Sequence, residues 1–190
     1  MKYAAFLIAS VISVAAAIPA CAQSSDWTGL YAGGQFGAAN METTFGDVTV
    51  NFDGKSYGGH LGYMYDAGRY VLGAEIDLDQ TYFDEVTMAS QGETYKEAAD
   101  KSTDDTIIRM KLRAGYDAGK FLPYVTVGAA MWGNVSQFEN SNFYGAGVAF
   151  LAADNLLIGG EILKQQLNDD FFREFGFEAT TMSLRASYKF

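Results

Sequence analysis

One cysteine, one histidine and two prolines in 190 residues remove several kinds of protein from consideration. With Cys21 alone there is no internal disulfide and no paired-thiol redox chemistry, so stability has to come from elsewhere. Charged residues are only 19% of the chain, below the quarter usual in soluble domains. Acids outnumber bases 23 to 13, and an acidic chain has no general affinity for nucleic acid. After residue 18 there is no helix-length apolar run. What the chain has in plenty is glycine (21), tyrosine (12) and phenylalanine (14), spread over short alternating segments. That is a β composition, and the length suits one domain.

The N-terminus carries one positive charge in Met1-Lys2, then an apolar run over 3–18, Pro19, and the small-residue tripeptide "ACA" at 20–22. This is the layout of a cleaved export signal, with the cut after Ala22, leaving 23–190 as the mature domain. An uncleaved anchor would need a longer run without Pro19, and a lipoprotein signal on Cys21 is poorly served by the preceding "IPA". Losing Lys2 takes the bases from 13 to 12 against 23 acids, and the formal net charge from −10 to −11.

Period-two alternation predicts eight strands, at 27–39, 56–65, 69–79, 106–116, 121–132, 142–151, 155–166 and 179–190. Most are near the 9–11 residues that a tilted strand needs to cross a bilayer. The connections alternate in length. "DAG" at 66–68, "DAG" at 117–119 and "AAD" at 152–154 are tight turns, whereas 40–55, 80–105 and 167–178 read as long polar, acidic loops, with 133–141 shorter. One face of the strands carries no charge and includes Leu30, Phe36, Leu61, Leu72, Ile76, Leu112, Val125, Val127 and Val148. The other carries Gln35, His60, Glu75, Asp77, Asp79, Arg109, Lys111, Arg113, Glu161, Arg185 and Lys189 among many glycines.

Alternation alone does not say which face is outside, since a secreted ligand-binding barrel has the same period turned inward. Tyr63, Tyr65, Tyr116 and Tyr188 beside the short turns fit an interfacial aromatic girdle. The chain also closes on "TTMSLRASYKF", whose alternate residues Met182, Leu184, Ala186, Tyr188 and Phe190 are apolar to the last position. An apolar face toward lipid explains both. The expected fold is therefore an all-β, eight-stranded antiparallel transmembrane up-and-down barrel, with both ends at the short-turn side.

The stretches "WTGLYAGGQFG" (27–37), "YGGHLGYMY" (57–65), "VLGAEIDL" (71–78), "IRMKLRAGYDAGKFLPYVTVGAA" (108–130) and the closing "SLRASYKF" resemble the porin-like small outer-membrane β-barrel proteins of Gram-negative bacteria, related to the OmpA membrane domain. The resemblance covers nearly all of 23–190. It implies localisation in the outer membrane after export to the periplasm. It also implies that Met182, Leu184, Ala186, Tyr188 and Phe190 are read by the outer-membrane insertion machinery. It leaves a structural or surface-interaction role, a narrow porin-like channel, and a surface-antigen role all open.

No motif points to catalysis, a cofactor or a metal. His60 has only glycines beside it and no serine two residues on. "GGQFG" and "GAG" are not a phosphate loop, and "EIDLD" at 75–79 keeps strand alternation and lacks the glycine and distal glutamate of a calcium loop. Asp84, Glu85, Glu93, Glu97, Asp100, Asp104 and Asp105 read as a solvated outer surface open to an unidentified extracellular partner. Beyond that, the partners expected are outer-membrane lipid and the insertion machinery; neither nucleic acid nor a second copy is called for. The inner charges predict a ladder: Glu75, Asp77 and Asp79 face Arg109, Lys111 and Arg113, with Asp77 near Lys111, and Glu161 and Arg185 join from later strands. Charges in so narrow a lumen have to be paired, and an eight-stranded barrel has just enough room for them.

Overall fold

The computed structural model describes residues 26–45, 48–90, 93–98, 105–134, 137–167 and 178–190; the expected signal segment 1–22, Asp100 and Asp104 lie outside them. Nine strands form one sheet: β1 (Gly29–Phe45), β2 (Val48–Asp66), β3 (Tyr70–Ser90), β4 (Glu93–Ala98), β5 (Asp105–Tyr116), β6 (Phe121–Asn134), β7 (Gln137–Ala153), β8 (Leu156–Leu167) and β9 (Glu178–Lys189). Eight of them close on themselves. β1 pairs with both β2 and β9, and every neighbouring pair is antiparallel, while β4 pairs with β3 outside the ring.

The closing seam runs from Tyr31 opposite Lys189 to Glu42 opposite Glu178. It is completed by Phe190, whose N–H donates to the Leu30 carbonyl at 2.8 Å. Among the described residues each of the eight ring strands is paired on both sides, which a membrane-spanning β structure requires.

The faces divide by the strand period. Phe36, Leu61, Leu72, Ile76, Leu112, Val125, Val127, Leu184 and Phe190 are exposed on the outside, while Glu75, Asp77, Asp79, Arg109, Lys111, Glu161 and Arg185 are buried inside. This is the reverse of a soluble ligand-binding barrel. Tyr63, Tyr65, Tyr70, Tyr116 and Tyr188 ring the short-turn end, with Tyr70 edge-on to Tyr116 and Tyr188 edge-on to Phe190. At the far end Tyr57 stacks on Tyr82, their centroids 5.4 Å apart. From Tyr70 to Tyr82 is roughly 40 Å along the strand, about 30 Å of height at the usual barrel tilt, which matches an apolar band with its two girdles.

The two DAG turns take the predicted form, whereas the turn expected at 152–154 falls on 154–155, because β7 runs on to Ala153. Gly68 (φ 95°) and Gly119 (φ 74°) adopt the left-handed region that favours glycine. Asp66 Oδ1 accepts from Gly68 N at 2.7 Å and Asp117 Oδ1 from Gly119 N at 2.8 Å, so each aspartate closes its own turn.

Several expectations are corrected at the opposite end. The stretch 40–55 is the tip of a continuous hairpin paired from Gly29 opposite Met64 out to Phe45 opposite Val48. Most of 80–105 is strand as well: β3 runs on to Ser90 and folds back through β4, so Asp84, Glu85, Glu93, Glu97 and Asp105 stand on strands. The 133–141 connection shrinks because β6 reaches Asn134 and β7 starts at Gln137. Past the apolar band, the outer ends of β1, β2 and β3 with β4 thus make a sheet that continues the barrel wall. Its lumen-side positions are Met41, Val50, Phe52, Val86 and Met88, and its opposite side carries Asn40, Asn51, Asp53 and Lys55. Those polar letters are one side of paired strands, not a loop. Trp27, expected inside the first strand, precedes it.

Candidate functional site: the lumenal charge network

Each charged residue arrives in the lumen by strand parity. Glu75, Asp77 and Asp79 share the inner face of β3, and Arg109, Lys111 and Arg113 that of β5; Glu161 comes from β8 and Arg185 from β9. The ladder places Glu75 opposite Lys111, Asp77 opposite Arg109 and Gly73 opposite Arg113. The expected Asp77–Lys111 neighbours are therefore diagonal, yet the lysine stem is long enough to join them at 2.5 Å.

Lys111 is the hub. Its Nζ lies 2.5 Å from Asp77 Oδ2, 2.5 Å from Glu161 Oε1 and 3.3 Å from Glu75 Oε1, with no solvent exposure. Two arginines span the same pair of glutamates. Arg113 Nη2 donates to Glu75 Oε1 at 2.7 Å and to Glu161 Oε2 at 2.9 Å, and Arg185 donates to Glu75 Oε2 at 2.7 Å and to Glu161 Oε1 at 2.8 Å. Arg109 pairs with Asp79, and Gln35 Nε2 donates to Asp79 Oδ1 at 2.6 Å. Among the described residues four lumenal carboxylates thus face four cations, and their formal charges sum to zero.

Two tyrosines complete it, in the same way on opposite sides of the barrel. Tyr31 sits opposite Gly62, which sits opposite Glu75, and the Tyr31 hydroxyl donates to Glu75 Oε2 at 2.7 Å. Tyr124 sits opposite Gly147, which sits opposite Glu161, and its hydroxyl donates to Glu161 Oε2 at 3.1 Å. A Cβ on either glycine would come within 2.5 Å of the tyrosine Cζ, so each ring lies in space that its glycine leaves open. The next strand adds an arginine in each case, Arg113 opposite Gly73 and Arg185 opposite Gly159. The Arg113 guanidinium also lies 4.5 Å from the Tyr124 ring centre.

The barrel therefore contains two matching units, Tyr31–Gly62–Glu75–Arg113 and Tyr124–Gly147–Glu161–Arg185. The signal stands in the sequence: "LRAGY" at 112–116 against "LRASY" at 184–188, and "LGAEI" at 72–76 against "IGGEI" at 158–162. The two "DAG" turns, at 66–68 and 117–119, do not correspond between the two units.

Other inner residues fill the remaining height. Trp27, Tyr31, Met64, Val71, Leu122 and Leu157 pack together on the short-turn side, and Ile107, Ala130, Phe143 and Leu163 on the far side. His60 Nε2 lies 2.7 Å from Ser187 Oγ. That serine is 127 residues away, which is why local sequence offered no partner. Among the described residues His60 Nδ1 is buried without a hydrogen-bond partner. Lys189 keeps the parity of the charged face, opposite Tyr31, and at the end of that face its Nζ donates to the Asp26 carbonyl beside the short turns.

Carboxylate oxygens of Glu75, Asp77 and Glu161 approach within 4.8 Å of one another, close enough for a cation. The Lys111 ammonium already bonds all three, and takes the place a metal would need.

The family described as outer membrane protein beta-barrel domain matches residues 4–190. The chain belongs to that family. As an outer-membrane barrel it resides in the outer membrane of a Gram-negative bacterium, with the short turns toward the periplasm and the extended sheet outside. No curated protein compared with this outer-membrane barrel matches it. Among solved structures it is similar to Neisserial surface protein A, at 13% identity over 86% of this chain and 98% of that one, TM-score 0.48. It is similar to OprG from Pseudomonas aeruginosa at 13% identity over 88% and 98%, TM-score 0.48. The N-terminal β-barrel domain of Pseudomonas aeruginosa OprF aligns at 12% identity over 81% and 97%, TM-score 0.45.

Proposed function

We propose that the protein is a non-enzymatic structural barrel that displays an extracellular surface, with its lumen closed by its own charges. The observation that carries this is the neutral network in which Lys111, Arg113 and Arg185 each join carboxylates from β3 and β8, across the full width of the barrel. Such cations act as struts. Solutes would have to displace ion pairs that are costly to break singly, and eight strands leave no width to pass around them. Single-protein conductance in planar bilayers tests the reading. The unmutated barrel is expected to be silent, and Lys111→Ala or Asp77→Ala to show small openings; steady openings of general-porin size from the unmutated protein would sink it.

The exposed series Met182, Leu184, Ala186, Tyr188 and Phe190 belongs to the same proposal as the insertion signal. Phe190→Asp puts a charge on the lipid-facing seam and is expected to abolish accumulation in the outer membrane. Wild-type abundance of that variant would defeat the assignment.

A further inference from the structure

Trp27 is not part of the wall, yet it is fully buried. It precedes β1 and turns into the periplasmic mouth, against Met64, Val71, Leu122 and Leu157. Two aspartates hold it there. The indole Nε1 donates to Asp117 Oδ1 at 3.1 Å and the Trp27 backbone N to Asp66 Oδ2 at 3.3 Å, while Asp66 N donates to Thr28 Oγ1 at 3.1 Å. These are the aspartates that close the two DAG turns, so the acceptors are fixed by the turns themselves and not by the ring. Between the apolar side chains and Arg113, Arg185 and Ser187 lies a cavity of about 30 Å³, so the mouth is the boundary between periplasm and network.

We propose that this mouth is a binding site for a planar aromatic ring bearing an N–H donor, occupied in cis by Trp27, which seals the lumen from the periplasm. The inference rests on the closed-lumen reading. Apolar walls accept any flat ring of this size, but Asp117 rewards only one with a donor at its edge. The opening of the "WTGLYAGG" stretch thereby has a purpose distinct from strand formation.

Free indole is the probe. The full chain carrying Cys21→Ser and Met64→Cys has its one thiol in the cluster that buries the ring and is reacted, folded in micelles, with a water-soluble maleimide. Labelling is expected to be slow with Trp27 present and at least tenfold faster after Trp27→Ala, with millimolar indole slowing it again. Equal rates with and without Trp27, or no protection by indole, would overturn the proposal. Toluene, which lacks the donor, is expected to protect less; equal protection would overturn the role given to Asp117. Heat-shifted gel mobility confirms folding of each variant. Should Trp27→Ala not fold, Trp132→Phe leaves Trp27 as the sole tryptophan: emission shielded from acrylamide supports the seated ring, and quenching like that of free tryptophan refutes it. Failure of the closed-lumen reading would instead appear as conductance of the unmutated protein.

Discussion

Strands β1, β2, β3 and β5 carry Tyr31, Gly62, Glu75 and Arg113, and β6 to β9 carry Tyr124, Gly147, Glu161 and Arg185 at corresponding places, but only the first set continues outward with charge. Where β3 has Asp77 and Asp79, β8 has Leu163 and Gln165; where β5 has Lys111 and Arg109, β9 has Ser183 and Thr181. The shared frame is neutral by itself, two glutamates against two arginines. The additions of the first half are neutral too, two aspartates against Lys111 and Arg109. Charge has entered this lumen in compensated pairs, as expected if an unpaired buried ion costs several kcal/mol and a paired one roughly breaks even.

The largest expected effect comes from breaking an addition on one side only. Lys111→Ser leaves three carboxylates without their shared ammonium and is expected to cost about 3–5 kcal/mol in denaturant unfolding from lipid vesicles. Adding Asp77→Leu to it reproduces the pair found in the second half, Leu163 and Ser183. The double variant is expected to be more stable than Lys111→Ser by about 1 kcal/mol or more, a coupling of ordinary size for contacting residues. A double variant as unstable as the sum of the singles would break the comparison.

A smaller effect sharpens it. Gly62→Ala and Gly147→Ala each push a methyl group into a tyrosine ring and are expected to cost about 1–3 kcal/mol, with the same sign in both halves. The same unfolding assay reads this, and tolerance in one half alone would show that the two tyrosines are not equivalent.

Much of this was legible in the chain. Strand parity assigned Glu75, Asp77, Asp79, Arg109, Lys111, Arg113, Glu161 and Arg185 to one face, because a half-buried strand has a period of two regardless of its neighbours. The outward faces and girdle tyrosines followed from the same rule. Pairing across the lumen was not legible, since Lys111 meets Glu161 and His60 meets Ser187 only after the barrel closes. The outer hairpin was missed for another reason. "VTVNF" at 48–52 alternates as cleanly as the membrane strands, but polarity suggested loop where a sheet in water also needs polar residues on one side. Which tyrosine lies over which glycine was not legible, because that depends on the cross-strand register.

The central claim is that both halves are locked through arginines they share, and a double-mutant cycle on Glu75 and Glu161 tests it most directly. In Glu75→Gln, Arg113 and Arg185 each keep Glu161, and in Glu161→Gln each keeps Glu75; only the double variant takes both glutamates from both arginines, leaving Arg185 with Asp77 at 4.0 Å. Unfolding of the four proteins from lipid vesicles should therefore show a double loss exceeding the sum of the singles by about 1 kcal/mol or more. Losses that add to within about 0.5 kcal/mol, as for independent sites, would contradict a single shared network.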